Sequence, residues 1–285
     1  MQLNKYFYNK QGTQLRFFIT LFILICQSFT TNAASNVSKN TVEKSTSVPQ
    51  HQASKKSTVQ NNTKPKGTTP YLKPFTAKYS ILHKSKKVGE GTRKLIYLND
   101  NTLEYSYKSD ISWLIFSDTR TEISTLKFIK DKLIPVRYEY KREGTGRDKH
   151  YVWQFDADRN QATDLKKKRV ISIDFSQPLQ DTLSYHLQHR LKMMEHPEQK
   201  QFVYPVIKTS GKIQNYVYQY DGEEELMLPY GLVKTIRLKR EVIEKKRITY
   251  AWFAPELDCL LVKLYQVKGG NEQFEAQLTS LTVEK

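Results

Sequence analysis

From Phe75 onward, apolar and polar residues alternate in short runs. The first sets Phe75, Ala77, Tyr79 and Ile81 against Thr76, Lys78 and Ser80. A period of two sends successive side chains to opposite faces, as a strand with one buried face requires. The pattern returns at Leu103, Tyr105 and Tyr107, at Val136, Tyr138 and Tyr140, and at Tyr216, Tyr218 and Tyr220. It recurs at Ile248, Tyr250 and Trp252, and at Phe274, Ala276 and Leu278. Roughly a dozen strands fit, parted by short turns such as Leu98–Asn101 and Glu143–Gly146, and strands spaced like this build antiparallel meanders. One segment changes period. Leu183, Leu187, Leu191 and Met194 form a helical stripe, with Asp181 at the N-cap and Pro197 just beyond the end. The expectation is a mainly β fold: a strongly curved antiparallel sheet, an open or half barrel, wrapped around one α-helix. A closed barrel with the helix as a lid is the alternative.

Upstream the pattern is different. Lys5, Lys10 and Arg16 precede an apolar run from Phe17 to Cys26, and small residues close the segment at Ala33-Ala34. This is the layout of a cleavable secretion signal over residues 1–33. The run has about half of the ~20 apolar residues that a membrane-spanning helix needs, which argues against an uncleaved anchor. Leu24 and Ile25 are too bulky for the small residue that precedes an acylated cysteine, so Cys26 belongs to the signal. From Ala34 to Pro70 there is no aromatic residue, Leu or Ile, and six Lys face one Glu. Such a stretch buries too little to order itself, and a disordered basic tether is expected there, either an arm onto anionic surfaces or a plain spacer. Residues 71–285 then form a single β-rich domain.

Charge narrows the possible partners. Taking Lys5, Lys10 and Arg16 from the 46 basic residues leaves 43 against 29 acidic ones, a surplus near +14 in the mature chain. A surplus of that size attracts polyanions, and export to the periplasm removes nucleic acid from the choice. Lys141, Arg142, Arg147 and Lys149 occupy one predicted turn, and Lys166, Lys167, Lys168 and Arg169 another. One strand reversal near Asp158-Arg159-Asn160 separates them, so both turns should emerge at the same end of the sheet. The end of a third cluster, Lys239-Arg240 with Lys245-Lys246-Arg247, stays open. A basic rim would meet anionic lipid, lipopolysaccharide, glycan or an envelope protein, and a membrane surface is compatible with it; otherwise it is a charged edge that keeps sheets apart.

Little else suggests chemistry. His186 and His189 are three apart on the helix, but a metal site needs three or four ligands, and both are expected on the solvent face opposite the leucine stripe. Glu223-Glu224-Glu225 and Glu256 with Asp258 read as solvated acids beside turns. Cys259, flanked by Leu257 and Leu260-Leu261-Val262, reads as a buried thiol. No nucleophile elbow or phosphate-cradling loop is present, and neither enzyme activity nor a cofactor is expected.

Several landmarks resemble the bacterial domain-of-unknown-function family 3108. They are Lys87-Val88-Gly89-Glu90-Gly91, Leu133-Ile134-Pro135-Val136-Arg137-Tyr138, Asp181-Thr182-Leu183-Ser184, Leu228-Pro229-Tyr230-Gly231 and Trp252-Phe253-Ala254-Pro255-Glu256. The resemblance implies an exported protein without an assigned activity. It also implies a fold like the lipoprotein-carrier half barrel, able to hold a hydrophobic guest, and it transfers no catalytic residue. The expectation is a monomeric binding or carrier module for a lipidic or amphipathic envelope component. The alternative is an interaction protein that works through its basic rim.

Overall fold

A computed structural model describes residues 72–99, 101–129 and 132–284, so the proposed signal and tether lie outside the described residues. Fourteen strands are present among the described residues. They are β1 (Phe75–His83), β2 (Lys86–Asn99), β3 (Thr102–Trp113), β4 (Phe116–Ile129), β5 (Lys132–Gly144), β6 (Lys149–Asp156), β7 (Gln161–Asp164) and β8 (Arg169–Ser172). After the helix α1 (Tyr185–Glu195) come β9 (Gln201–Ile207), β10 (Ile213–Leu228), β11 (Gly231–Val242), β12 (Arg247–Ala254), β13 (Leu260–Lys268) and β14 (Asn271–Val283). All pair antiparallel in one sheet, ordered β8 to β1, then β14 down to β9. The first and last strands therefore meet in the middle, with Phe75 opposite Val283 and Tyr79 opposite Leu278.

The sheet is open, and β8 and β9 are its edges. The segment before the helix spans the gap between the two arms. Gln180 pairs with β9, its N–H donating to Pro205 O and its carbonyl accepting from Ile207 N, both at 2.9 Å. Its side-chain Nε2 donates to Leu133 O on β5 at 3.0 Å. The β9–β10 turn adds two more links: Trp153 Nε1 donates to Thr209 O at 3.3 Å and Arg169 Nη2 to Ser210 O at 3.0 Å. This is the open barrel that the alternation predicts, curled until its two arms face each other across a loop.

Asp181 caps the turn that leads into the helix, accepting from the backbone N–H of Leu183 (2.8 Å) and Ser184 (2.7 Å). At the other end Arg190 Nε donates to Asp258 O at 3.0 Å while its guanidinium lies 4.8 Å from the Phe75 ring centre. Leu183, Leu187 and Leu191 enter one cluster with Phe75, Leu95, Leu103 and Leu126. Tyr185 and Met193 enter a second with Phe202, Tyr204, Phe253 and Leu261. A helix held on two sides in this way has little solvent face left.

The sheet is also thicker around β12 than alternation alone suggests. Trp252 and Ala254 belong to the first cluster, Ala251 and Phe253 to the second, so both faces are buried. The β10–β11 hairpin provides the extra cover. β10 breaks register between Tyr220 and Glu223, where Gly222 has φ +119°, a conformation that glycine adopts without a Cβ penalty. Beyond the break Leu228 and Val233 join the cluster that contains Trp252 and Leu278, and Tyr230 N donates to Leu278 O at 3.1 Å.

Burial on two sides corrects the expectation for the histidines. His189 is 1% exposed, ringed by Phe202, Tyr204, Tyr218 and Phe253 at 4.7–5.3 Å between ring centres, and neither ring nitrogen meets a hydrogen-bond partner among the described residues. Desolvation pushes its pKa down to about 3. The folded protein thus holds a neutral imidazole where the unfolded chain would take up a proton. Its contribution to stability is complete above the unfolded value near pH 6.5 and is lost as pH falls towards 3. Replacing His189 with Phe should therefore reduce the loss of stability between about pH 7 and pH 4.5 by on the order of 2 kcal/mol, read from urea midpoints of both proteins. Asp181 and Glu122, whose shifts have other causes, are present in both proteins, so equal acid sensitivity would count against this role.

Candidate functional site

The hydrogen-bond register lines up the concave face in rows across β1 to β5. One row reads Ala77, Arg93, Tyr107, Glu122 and Tyr140, and the next Tyr79, Gly91, Ser109, Arg120 and Arg142. Gly91 keeps the second row shallow. A Cβ there would lie 3.3 Å from the Tyr107 ring, and a longer side chain would occupy the space in front of it. Opposite these rows stand Thr182, Leu183 and His186 from the start of the helix, and between them lies a cavity of about 150 Å³. Ile81, Val88, Ile111, Leu261, Leu264 and Phe274 supply much of its apolar wall. Its lining reaches His83, Val88, Ile111 and Gln273, beside the β1–β2, β3–β4 and β13–β14 turns, which puts its mouth towards that end.

The polar groups gather at the inner side. Arg93 is 8% exposed; its Nη1 donates to Tyr105 Oη at 2.8 Å, and its guanidinium lies 5.1 Å from the Tyr107 ring centre. Glu122 Oε2 accepts from Tyr138 Oη at 2.6 Å and from Thr182 Oγ1 at 3.4 Å. Burial raises the Glu122 carboxyl above its usual range, opposed by the Tyr138 hydrogen bond and the charge of Arg93. His186 is half-buried on the cavity wall, not on an outer face. Burial first, then the charge of Arg93, holds its imidazole well below its ordinary pKa, so it is neutral. Tyr79 donates its hydroxyl to Leu261 O at 2.7 Å, tying β1 to β13 across the concavity.

Beside the cavity one carboxylate serves two guanidinium groups. Asp118 Oδ1 accepts from Arg120 Nε and Oδ2 from Arg142 Nε, both at 2.5 Å, and all three side chains are buried. Arg142 also donates to the Thr145 and Arg147 carbonyls, at 3.2 and 3.4 Å, and so pins the β5–β6 turn.

This removes Arg142 from the basic rim, because a buried, bonded guanidinium cannot face a partner in solvent. The other seven residues are exposed or half-buried. Lys141 pairs with Glu143 at 3.0 Å, while Arg147 and Lys149 border the β5–β6 turn. Lys166, Lys167 and Lys168 form the β7–β8 turn, folded on the buried Asp164 by backbone N–H bonds of 3.1 Å from Lys166 and Lys167. Arg169 lies 5.6 Å over the Trp153 ring. Both turns point to the same end of the sheet, as the strand count implies. The β7–β8 turn is set back, since Asp164 pairs with Trp153 whereas Arg142 pairs with Lys149. The third cluster divides. Lys245 and Lys246 reach the same end, where Gly269 N donates to Lys246 O at 2.7 Å; Lys239 and Arg240 stay on β11 with Glu241 and the Tyr216 ring.

Sequence reading missed the cavity's own polar residues, although a signal existed. Arg93 lies two residues from the buried Leu95, and Glu122 two residues from the buried Ser124, in phase with the inner face. Glu224 is exposed, as the sequence implies, and its carboxylate also accepts from Trp252 Nε1 and Arg237 Nη1, both at 2.8 Å. Cys259 is buried as its neighbours imply, and burial pushes its thiol up to about 11.

A family model described as a protein of unknown function, DUF3108, matches residues 102–275. The chain belongs to DUF3108. The matched span runs from β3 into β14 and holds the helix, Glu122 and the Asp118 cluster, whereas Tyr79 and Arg93 precede it. No curated protein matches this DUF3108 chain. Among solved structures, a beta-barrel-like protein of domain of unknown function DUF1849 from Brucella abortus is similar. It has a TM-score of 0.50 at 8% identity, over 75% of this chain and 99% of that one. The similarity extends to the fold. A candidate lipoprotein from Parabacteroides distasonis aligns at a TM-score of 0.32 and 9% identity, over 75% of this chain and 97% of that one.

The Asp118 cluster makes a test of the site's frame. Asp118→Asn should cost about 3 kcal/mol or more in urea denaturation, because two buried guanidinium groups lose their counter-charge. Lys141→Met, at an exposed pair on the neighbouring β5, should shift stability by less than about 1 kcal/mol.

Proposed function

We propose that this DUF3108 protein is an exported, non-enzymatic binding module that takes the apolar part of a lipidic or amphipathic envelope component into the cavity beside the helix. The supporting observation is the cavity itself: a hollow of about 150 Å³, walled by aliphatic and aromatic side chains, with polar groups converging at its inner side. Ligand sites are typically concave and mostly apolar, with a few placed polar groups. The charged start, apolar run and small-residue end of residues 1–33 support export to the periplasm, where such components occur.

The surroundings of the mouth favour an anionic or membranous surface as the source of the guest. Leu114 and Ile115 at the tip of the β3–β4 turn are 80% and 82% exposed, and Lys84, Lys86 and Lys87 lie on and beside the neighbouring β1–β2 turn. A second reading, binding of cell wall, lipopolysaccharide or an envelope protein through the rim, is favoured by the arrival of Lys166, Lys167, Lys168, Lys245 and Lys246 at that same end.

One pair of variants separates the two. Ala276→Trp, on the cavity wall, should abolish uptake of a fluorescent acyl probe while circular dichroism remains native. Lys166→Glu with Lys167→Glu and Lys168→Glu should leave uptake intact and weaken retention on lipopolysaccharide or anionic vesicles. If the unaltered protein takes up no probe, and native mass spectrometry of protein purified from its host finds no bound lipid, the carrier reading fails.

A further inference from the structure

Burial of Arg93 demands an explanation that the protein's own residues do not supply. A guanidinium out of water is normally neutralised by a carboxylate, and a buried charge without one is costly. Among the described residues Arg93 has a tyrosine hydroxyl and two aromatic rings around it, and no carboxylate within ion-pairing distance. Glu122, two strands away on the same row, is the one acid on the cavity wall, and it is engaged by Tyr138 and Thr182. The second guanidinium on that wall, Arg120, pairs with Asp118, which Arg142 shares. Beside Arg93 the wall offers two neutral hydrogen-bonding groups, His186 and Ser109. Among the described residues Arg93 is therefore a buried charge, at the inner side of an otherwise apolar cavity, held by a hydroxyl and two rings without an ion pair.

We propose that the cavity selects guests with a carboxylate head, an aliphatic acid whose chain lies along the Ile81–Val88–Phe274 wall and whose carboxylate pairs with Arg93. This rests on the reading of the cavity as a guest site and goes one step beyond it. A planar, singly charged head suits a guanidinium that already has one N–H committed to Tyr105, because the remaining donors form the fork that a carboxylate accepts. An alcohol or amine head on the same chain would leave the guanidinium unpaired or add a second positive charge.

The test compares dodecanoate, dodecanol and dodecylamine as displacers of a fluorescent acyl probe from the full chain and from Arg93→Met. Dodecanoate should bind the unaltered protein about ten- to a hundredfold more tightly than dodecanol, the range set by one charge-assisted contact, with dodecylamine weakest. In Arg93→Met the acid's advantage should vanish while dodecanol binds as before or better. Should Arg93→Met not fold, Arg93→Lys, which keeps the charge without the fork, should retain only part of the preference. In the unaltered protein the labelled carboxyl carbon of bound dodecanoate should titrate at lower pH than that of the free acid. Equal affinity for acid and alcohol, or an acid preference that persists in Arg93→Met, overturns the proposal and leaves the carrier reading standing. Failure of all three displacers and the probe to bind overturns both.

Discussion

A helix enclosed by a curved sheet has almost no face on which to leave a polar group in water, and this constraint governs the interior. Every polar side chain on or near α1 must be neutral, bonded or paired. Asp181 is bonded to backbone at the helix start, Arg190 to carbonyls at its end, and His189 stays uncharged among four rings. The same constraint makes Arg93 conspicuous, because among the described residues its buried charge has one hydroxyl and two rings where Arg190 has backbone carbonyls.

The enclosure also organises the site. The helix start stands against β1 to β4, close enough for Thr182 to reach Glu122, but small residues such as Gly91 stop the two surfaces from filling the space between them. Farther along, Leu187 and Leu191 pack fully against the sheet. One side of the barrel interior is therefore solid and the other hollow, and the hollow opens at the end where Leu114, Ile115 and the lysine-bearing turns are found. Rigid strands, rather than loops, carry Arg93, Arg120 and Glu122, so their spacing is set by sheet register.

Much of this architecture was legible from period alone. Alternation marked the strands, and the leucine stripe marked the helix, because both follow from which side chains share a face. Alternation says less where both faces are covered. Tyr250 and Trp252 read as the buried side of β12, yet Thr249 and Ala251 are buried as well: Ala251 lies on the helix side with Phe253, while the β10–β11 hairpin covers Trp252 on the other face. The histidines failed for a related reason: a one-sided stripe implies a wet opposite face only when the helix lies on a surface. Arg142 looked like any lysine-rich turn neighbour, and its burial follows from Asp118, a partner more than twenty residues away that no local pattern connects to it. The buried Arg93 was hidden in the same manner, since a single arginine in phase with buried positions resembles a charged strand edge until its neighbours are known.

Pairing of β1 with β14 has a bearing on how the chain reaches its native state. β1 has one neighbour available at once, β2, and must wait for β14, about 190 residues later, to gain the other. Until then two separate arms exist, each with a raw edge at what will become the centre. Synthesis delivers the amino-terminal arm first, so the growing molecule must stay unjoined until β14 has been made, and loss of that strand alone would leave the seam without its suture.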